Sequence, residues 1–233
     1  MRFWTWAEIK EKIEEDCDLQ EETFISRSEL LKLANIAIDE AEAEIHGLYE
    51  DYFLNYADTN VAQNAETINI PVDIYGMKIR RIFFYQGSVG STTYHRVHRL
   101  PDSRKFEEKA QNDAIPGTTG NIYQFFPINR TAGAPQIMFT PKIQVAGVMR
   151  VWYLRNANRL YVDTDVCDIP EFINFIFARM KVGVYSKEGH PGLADAQNEL
   201  EMERQRMIGT LQSMVPDDEN QIDADYTYYD EQT

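Results

Sequence analysis

Two histidines separated by three positions are the first residues here that could support chemistry. His95 and His98 form an HxxH pattern, which binds a metal ion when both imidazoles share one helix face and a third ligand is present. No third ligand accompanies them, and three arginines surround the pair, which is a poor setting for a cation: Arg96, Arg99 and Arg104. We therefore favour a strand or loop that displays polar side chains, and we expect no metal and no other cofactor.

The other candidates for catalysis are also incomplete. Acid pairs such as Asp163 and Asp165 serve a hydrolase only at a controlled separation within a cleft. The glycine-containing stretches 87–91 and 117–120 complete neither GxxxxGK[ST] nor GxGxxG, and they are typical of hairpin tips. We predict that the protein is not an enzyme and has no catalytic residues, and a carboxylate-dependent hydrolase is the least supported alternative.

Composition narrows the class of protein further. A formal net charge of −15 over 233 residues disfavours general nucleic-acid binding, which requires clustered Lys and Arg. Cys17 and Cys167 are far apart and lack a CxxC partner, which indicates a reducing compartment without disulfides. No apolar run has the length of a membrane span, and the N-terminus does not have the pattern of a signal peptide. We expect a soluble protein made in a cytoplasm.

Helical periodicity is concentrated at the two ends of the chain. Residues 5–16 predict a short helix, and Ser26 with Glu29 forms a capping-box pattern ahead of an amphipathic helix over 27–54, in which Gly47 is the weakest point. Towards the other end, Asp168 and Pro170 predict the start of an apolar helix over 168–185.

A last helix is predicted over 192–214 and is ended by Pro216. The remaining residues, 216–233, carry seven acids and no base, and they are too polar to form a core. We expect them to form an extended acidic tail.

The middle of the chain has the pattern of short strands separated by Gly, Pro and Asn. Strands are predicted at 67–70, 78–85, 121–126, 136–139 and 148–154. The fold expected from these patterns is α+β. It is an α-helical bundle of three to four helices (1–60 and 165–215) with an inserted antiparallel β region (61–164) and an extended C-terminal tail (216–233).

Part of this β region is basic. Between Lys78 and Lys109 eight bases oppose three acids, a net charge of +5, and four of the bases are predicted to contact a partner: Arg80, Arg81, Arg96 and Arg99. Basic and acidic regions on one chain suit head-to-tail contact with another copy or with a partner ring. The alternative is that the charge is spread over both faces of a sheet, and the sequence leaves both interpretations open.

The order of these segments is similar to that of a known family. The segments that carry the similarity are SRSELLKLANIAIDEAEAEI, NIPVDIYGMKIRRIFF, QIMFTPKIQVAGVMRVWYLRNANRL, DVCDIPEFINFIFARM and GLADAQNELEMERQRMIGTLQSM. Together they resemble the head-to-tail adaptor proteins of tailed phages, which are also called head completion or connector proteins. In short-tailed phages the corresponding protein is tail tubular protein A.

The resemblance implies a structural virion protein of the neck or tail. In the family, identical subunits form a ring of twelve beneath the portal protein, extend the DNA channel and provide an attachment for the tail nozzle protein. Double-stranded DNA would pass through without sequence-specific binding, and no membrane would be involved. The helix over 168–185 would pack centrally and supply the residues for the core and the assembly: Phe172, Phe175, Ile176 and Met180.

Two further expectations follow from this resemblance. The acidic side of the long N-terminal helix would line the channel and keep DNA from adhering: Asp39, Glu40, Glu42 and Glu44. The tail would bind the portal or a neighbouring subunit through Tyr226, Tyr228 and Tyr229. The alternative function is another tail-attached or capsid-associated virion structural protein that binds its partner through the β region.

Overall fold

The computed structural model describes residues 2–19, 24–89, 94–100, 124–129 and 135–214. Within these ranges the chain forms four α-helices and nine β-strands. It divides into two units, a helical unit formed by Met1–Tyr49 with Asn158–Thr233 and a β unit formed by Glu50–Ala157.

The first two helices begin at capping boxes. Helix α1 (Trp6–Asp16) starts after Thr5, and helix α2 (Arg27–Leu48) starts after Ser26. The backbone N–H of Ser26 donates to Oε2 of Glu29 at 2.8 Å, which is half of the predicted reciprocal pair. The capping box in front of α2 is thus confirmed, but the helix ends at Leu48 and does not continue to residue 54.

The second pair of helices follows a short 3-10 turn. This turn (Pro170–Phe172) has proline in its first positions, as predicted, and leads into α3 (Ile173–Glu188). Asp168 does not cap the helix. Its carboxylate instead accepts the backbone N–H of Asn158 at 3.1 Å from both oxygens, because the chain turns back on itself there.

Helix α3 ends at a glycine in the left-handed conformation. Gly189 has a φ of 73°, which a residue with a Cβ adopts at a cost. Helix α4 (Leu193–Met214) follows after a short connection. The helical unit also contains a short antiparallel pair, β1 (Trp4–Thr5) with β9 (Val166–Cys167).

Helix α3 lies in the middle of the helical unit. It contacts α1, α2 and α4, and six of its sixteen residues are buried. The buried side chains of α3 are Ile173, Phe175, Ile176, Ala178, Met180 and Val184. Burial of each large apolar side chain contributes about 1.5–3 kcal/mol, so α3 is a major source of stability for this unit.

The β unit contains one seven-stranded sheet. Its strands are β2 (Leu54–Val61), β3 (Thr67–Asn69), β4 (Ile74–Gln86), β5 (Tyr94–Arg99), β6 (Gln124–Asn129), β7 (Gln136–Thr140) and β8 (Gly147–Arg155). They are arranged in the order β2-β8-β4-β5-β6-β7-β3. The sheet is nearly closed and resembles a barrel.

This sheet overturns the predicted fold class. The protein is a mixed α/β protein with a seven-stranded, barrel-like sheet and four helices, and it is more β-rich than a helical bundle with an inserted β region. The inserted region was also expected to be antiparallel, but β5 and β6 pair in parallel, with His98 opposite Gln124. The error arose because local alternation predicts strands without predicting which distant strands will pair.

The sheet encloses its own hydrophobic core. The fully buried side chains include Ile82 and Phe84 of β4 and Met149 and Val151 of β8. The two strands approach closely where Gly147 faces β4, since a Cβ built on this glycine would lie 2.2 Å from the carbonyl oxygen of Tyr85. A glycine is therefore required at this position of the β4–β8 pair.

Candidate functional site

One face of the sheet presents aromatic and arginine side chains in rows. The paired residues on successive strands are Tyr56, Trp152 and Arg81 in the first row; Asp58, Arg150, Phe83 and Arg96 in the second; and Asn60, Val148, Tyr85 and Tyr94 in the third. Side chains alternate between the faces of a strand, so these rows lie opposite the buried core residues. We use the name aromatic–arginine face for Tyr56, Phe83, Tyr85, Tyr94, Arg150 and Trp152.

Arg150 lies at the centre of this face. Its guanidinium carbon is 4.4 Å from the ring centroid of Tyr56 and 6.0 Å from that of Tyr85. Its Nε and Nη2 atoms each donate to a carboxylate oxygen of Asp58 at 2.8 Å. These hydrogen bonds lower the pKa of Asp58 and raise that of Arg150, and they fix the guanidinium beside the neighbouring rings.

Aromatic contacts extend the face on both sides of Arg150. The rings of Tyr56 and Trp152 have centroids 5.0 Å apart, and Tyr94 lies 6.1 Å from Phe83 and 6.0 Å from Tyr85. Tyr94 is 57% exposed and Tyr56 is 47% exposed. Exposed Tyr rings beside a half-buried Trp and a positioned Arg are the residue types that dominate protein interfaces, so the arrangement is suited to binding a partner.

The four bases that were predicted to contact a partner do not all lie on the same side of the sheet. Arg81 and Arg96 flank the aromatic–arginine face, whereas Arg99 lies an odd number of residues from Arg96 along β5 and so belongs to the other side of the strand. Arg80 lies at an irregularity in β4, where it forms ion pairs with Glu50 and Asp51. Residues 102–109, which hold three of the eight bases and all three acids, lie outside the described residues, so both interpretations left open by the sequence remain predictions.

The residues predicted for core and assembly lie inside the helical unit. Phe172 and Phe175 are each 4% exposed, and Ile176 and Met180 are fully buried. Phe177, on a less buried side of α3, packs edge-on against Trp4 with ring centroids 5.3 Å apart. This aromatic residue is thus covered by the chain itself.

The predicted acidic residues of α2 are engaged in ion pairs. Arg159 donates to Asp39, Arg179 to Glu40 and Arg204 to Glu44, each through hydrogen bonds between the side chains. Glu42 is more buried and has an oxygen 3.7 Å from Nε2 of His46, one turn further along α2. The acids therefore belong to a surface of alternating charge, and three of them connect α2 to other segments of the helical unit.

The predicted tail residues Tyr226, Tyr228 and Tyr229 lie outside the described residues. Their predicted roles remain predictions.

The histidine and cysteine side chains do not combine into a reactive centre in the described part of the chain. His95 and His98 lie on strand β5, where a separation of three residues puts them on opposite faces, and His95 is hydrogen-bonded to Gln86 at 3.1 Å. No group of three or more His, Cys, Asp or Glu residues among the described ranges is placed to hold a metal ion. Burial raises the pKa of both Cys17 and Cys167 to about 11, which keeps the thiols protonated at neutral pH.

The aromatic–arginine face was not predicted from the sequence. The alternation in β8, where Val148, Arg150 and Trp152 point outward between buried residues, was a usable signal for a half-buried tryptophan beside an arginine. The contribution of Tyr56 could not be found in that way, because no strand was predicted between the long helix, which was predicted to end at residue 54, and residue 67, so strand β2 was missed.

Comparison with the profiles of known protein families gives no match to this chain, and a search of curated proteins gives none either. In the portion of the chain that the structure describes, no helix combines the length and the hydropathy needed to span a membrane.

Proposed function

We propose that the protein is a structural component of a tailed-phage virion, a head-to-tail adaptor that forms a ring between the portal and the tail nozzle. The proposal begins from the resemblance of its segments to that family. The observation that carries it is the position of α3, which follows the Pro170–Phe172 turn and packs against α1, α2 and α4. The segment with the closest resemblance is thus the helix that organises the helical unit.

An adaptor needs separate surfaces for its neighbours in the ring and for proteins above and below it. The chain provides two folded units, each with its own buried core. The β unit also exposes the aromatic–arginine face, which has the composition of a protein-binding surface. These features support an assembly role in which different units make different contacts.

The ion pairs of α2 modify what we propose for the DNA channel. If α2 lines a channel, the passing DNA meets acids accompanied by Arg159, Arg179 and Arg204. Paired charges give a weak net field at distances beyond about 10 Å at 0.1 M salt. Such a surface would neither hold the DNA strongly nor repel it strongly.

The adaptor proposal is tested by measuring mass in solution with multi-angle light scattering. The protein is measured alone and after mixing with the portal protein encoded in the same genome. We expect a defined ring on the portal, visible as a large increase in mass and as a ring in electron micrographs. Failure to bind the portal at micromolar concentrations would contradict the proposal.

The second candidate is another tail-attached or capsid-associated protein that binds through the β unit. The exposure of Tyr56 and Tyr94 favours it, because these rings are accessible for contact without any ring assembly. The two candidates differ in one measurement. The second candidate is supported if the wild-type protein does not bind the portal but binds another virion protein. The Tyr94→Ser change should then abolish the binding to that protein.

A further inference from the structure

We infer that a turn of the helical unit, residues 160–165, docks into a groove between α2 and α3 of a second copy of this chain. The inference deepens the adaptor proposal, because it names a contact between subunits. It rests on that proposal only for the closure of successive contacts into a ring. The contact itself requires neither the portal nor the β unit.

The turn presents two apolar side chains to solvent on a fixed backbone. Tyr161 is 71% exposed and Val162 is 55% exposed. The backbone N–H groups of both residues donate to Oδ2 of Asp165, at 2.6 and 2.8 Å, so the carboxylate holds the turn in one conformation. Since the turn is already ordered, little conformational entropy is lost when its side chains bind a partner.

Two further exposed apolar side chains lie next to the turn in the β1–β9 pair. Thr5 lies opposite Val166, and Phe3 is two residues before Thr5, so Phe3 and Val166 share one face of this short ribbon. Both side chains are exposed. Strand β9 follows the turn directly, so four exposed apolar residues are concentrated in one small part of the helical unit. Grouped apolar residues of this kind mark contact sites, whereas single ones do not.

The groove lies between α2 and α3 and has a volume of about 230 Å³. The residues that line it are Ile25, Glu29, Lys32, Leu33, Gly183 and Lys187. The two helices are closely packed there, because a Cβ built on Gly183 would lie 2.6 Å from Cδ2 of Leu33. A cavity of about 150 Å³ accommodates benzene, so this groove has room for one tyrosine ring.

The turn and the groove lie on opposite sides of α2. Arg27 forms an ion pair with Asp163 of the turn, and Asn35 exchanges two hydrogen bonds of 2.9 Å with the backbone of Leu160. Glu29 and Leu33 line the groove and are two residues from Arg27 and Asn35, which is about 200° around an α-helix. One copy can therefore give its turn to one neighbour and its groove to another. Repeated head-to-tail contacts of this kind generate a ring when the rotation closes.

The turn and the groove also carry complementary charges. The carboxylate of Asp165 accepts backbone N–H groups and forms no ion pair with a described residue. At the groove, Lys32 is exposed and has no acid within ion-pair distance in the part of the chain that the structure describes. The remaining charges at the two sites are paired within the chain: Asp163 with Arg27, and Lys187 with Glu29. Attraction between Lys32 of one copy and Asp165 of the next would orient the contact.

A two-fold contact between the turns of two copies fits the structure less well. It would bring the Asp165 carboxylates of both copies together and would leave the groove unfilled, and like charges in a contact oppose it. This arrangement is therefore an outcome of the test that would overturn the inference.

The experiment uses two preparations of the full-length chain, one with Val162→Cys and one with Ile36→Cys, each combined with Cys17→Ala. Ile36 is exposed and lies one turn beyond Lys32 on α2. A short bis-maleimide is added to concentrated protein in the absence of portal. We expect a crosslinked dimer from the mixture and only monomer from either preparation alone. The remaining cysteine, Cys167, is fully buried and should not react.

Two further substitutions test the aromatic ring and the charge pair. Tyr161→Ser, added to the Val162→Cys preparation, should lower the yield of crosslinked dimer about 10-fold. Lys32→Glu, added to the Ile36→Cys preparation, should lower it several-fold. The matched control is Tyr94→Ser, an exposed tyrosine of the β unit, which should leave the yield unchanged. Thermal melting shows whether each variant is folded before the yields are compared.

Three results would overturn the inference: a dimer from the Val162→Cys preparation alone, no dimer from the mixture, or a yield that Tyr161→Ser does not lower. The portal is absent from this experiment, so its outcome is independent of the adaptor test. A ring on the portal without crosslinks from the mixture would contradict this contact and leave the adaptor proposal intact. Crosslinks from a protein that does not bind the portal would support the contact and contradict the adaptor proposal.

Discussion

Arg179 on α3 donates two hydrogen bonds to the carboxylate of Glu40 on α2, from Nε to Oε2 at 2.6 Å and from Nη2 to Oε1 at 2.8 Å. The paired geometry is the strong form of an arginine–carboxylate contact, and it raises the pKa of Arg179. Helix α2 is thereby connected to the central helix of its unit. From the sequence, Glu40 was predicted only as one of four acids on the same side of α2.

The first prediction concerns this pair. Replacing Glu40 with Gln should lower the free energy of unfolding by about 0.5–1 kcal/mol, because the pair is partly exposed to solvent and is weakened by screening. Urea unfolding of Glu40→Gln, Arg179→Met and the double variant measures the coupling between the two side chains. A coupling of zero would mean that Glu40 is free to act elsewhere, for example at a channel wall.

The second prediction concerns the centre of the helical unit. Phe175→Ala should lower the free energy of unfolding by about 3–5 kcal/mol, because Phe175 is 4% exposed and the ring leaves a cavity. Asn174→Ala is the matched control: its side chain is exposed on the same helix, and the change should stay within about 0.5 kcal/mol. Equal losses from the two variants in urea unfolding would show that α3 is not packed as described.

The third prediction separates two glycines. Gly147→Ala should destabilise the β unit by about 1–3 kcal/mol or more, because the new Cβ would meet the carbonyl oxygen of Tyr85. Gly209→Ala on α4 should stabilise the protein by about 0.5–1 kcal/mol, since open space surrounds that position and alanine favours a helix. Thermal unfolding measures both variants, and a shift of the two melting temperatures in the same direction would contradict this prediction.

The parts of the fold that depend on neighbouring residues were predictable. The capping box at Ser26 and Glu29, the proline at the start of the 3-10 turn and the strand around 148–154 all follow from short patterns. Helix α4 was placed over 192–214 and extends over Leu193–Met214, because an amphipathic stripe of that length is a strong signal.

The parts that depend on distant residues were not predictable. Strand β2 pairs with β8, so that Tyr56 lies opposite Trp152 although nearly a hundred residues separate them in sequence. No local pattern specifies this pairing, and without it neither the seven-stranded sheet nor the aromatic–arginine face can be assembled. The ion pairs of Asp39, Glu40 and Glu44 were missed for the same reason, since their arginine partners come from remote segments.

The fourth prediction concerns acid stability and Glu29 in the first turn of α2. A hydrogen bond from Nζ of Lys187 at 2.7 Å, together with those from Ser26, lowers the pKa of this carboxyl group to about 2. In the unfolded chain the pKa of this group is near its ordinary value of 4.5. Its contribution to stability is thus fully present above about pH 4.5 and is lost as the pH falls towards 2.

Melting temperatures of the wild type and of Glu29→Gln, measured from pH 7 to pH 2, test this assignment. The wild type should be the more stable protein at pH 7, and the difference should shrink below pH 4.5 and be largely lost near pH 2, where about half of the Glu29 carboxyl groups in the folded protein are protonated. Asn174→Ala changes no titratable group, so its difference from the wild type should remain constant over the same range. If the Glu29→Gln difference also remains constant, the carboxylate of Glu29 does not bind Lys187 in the folded protein.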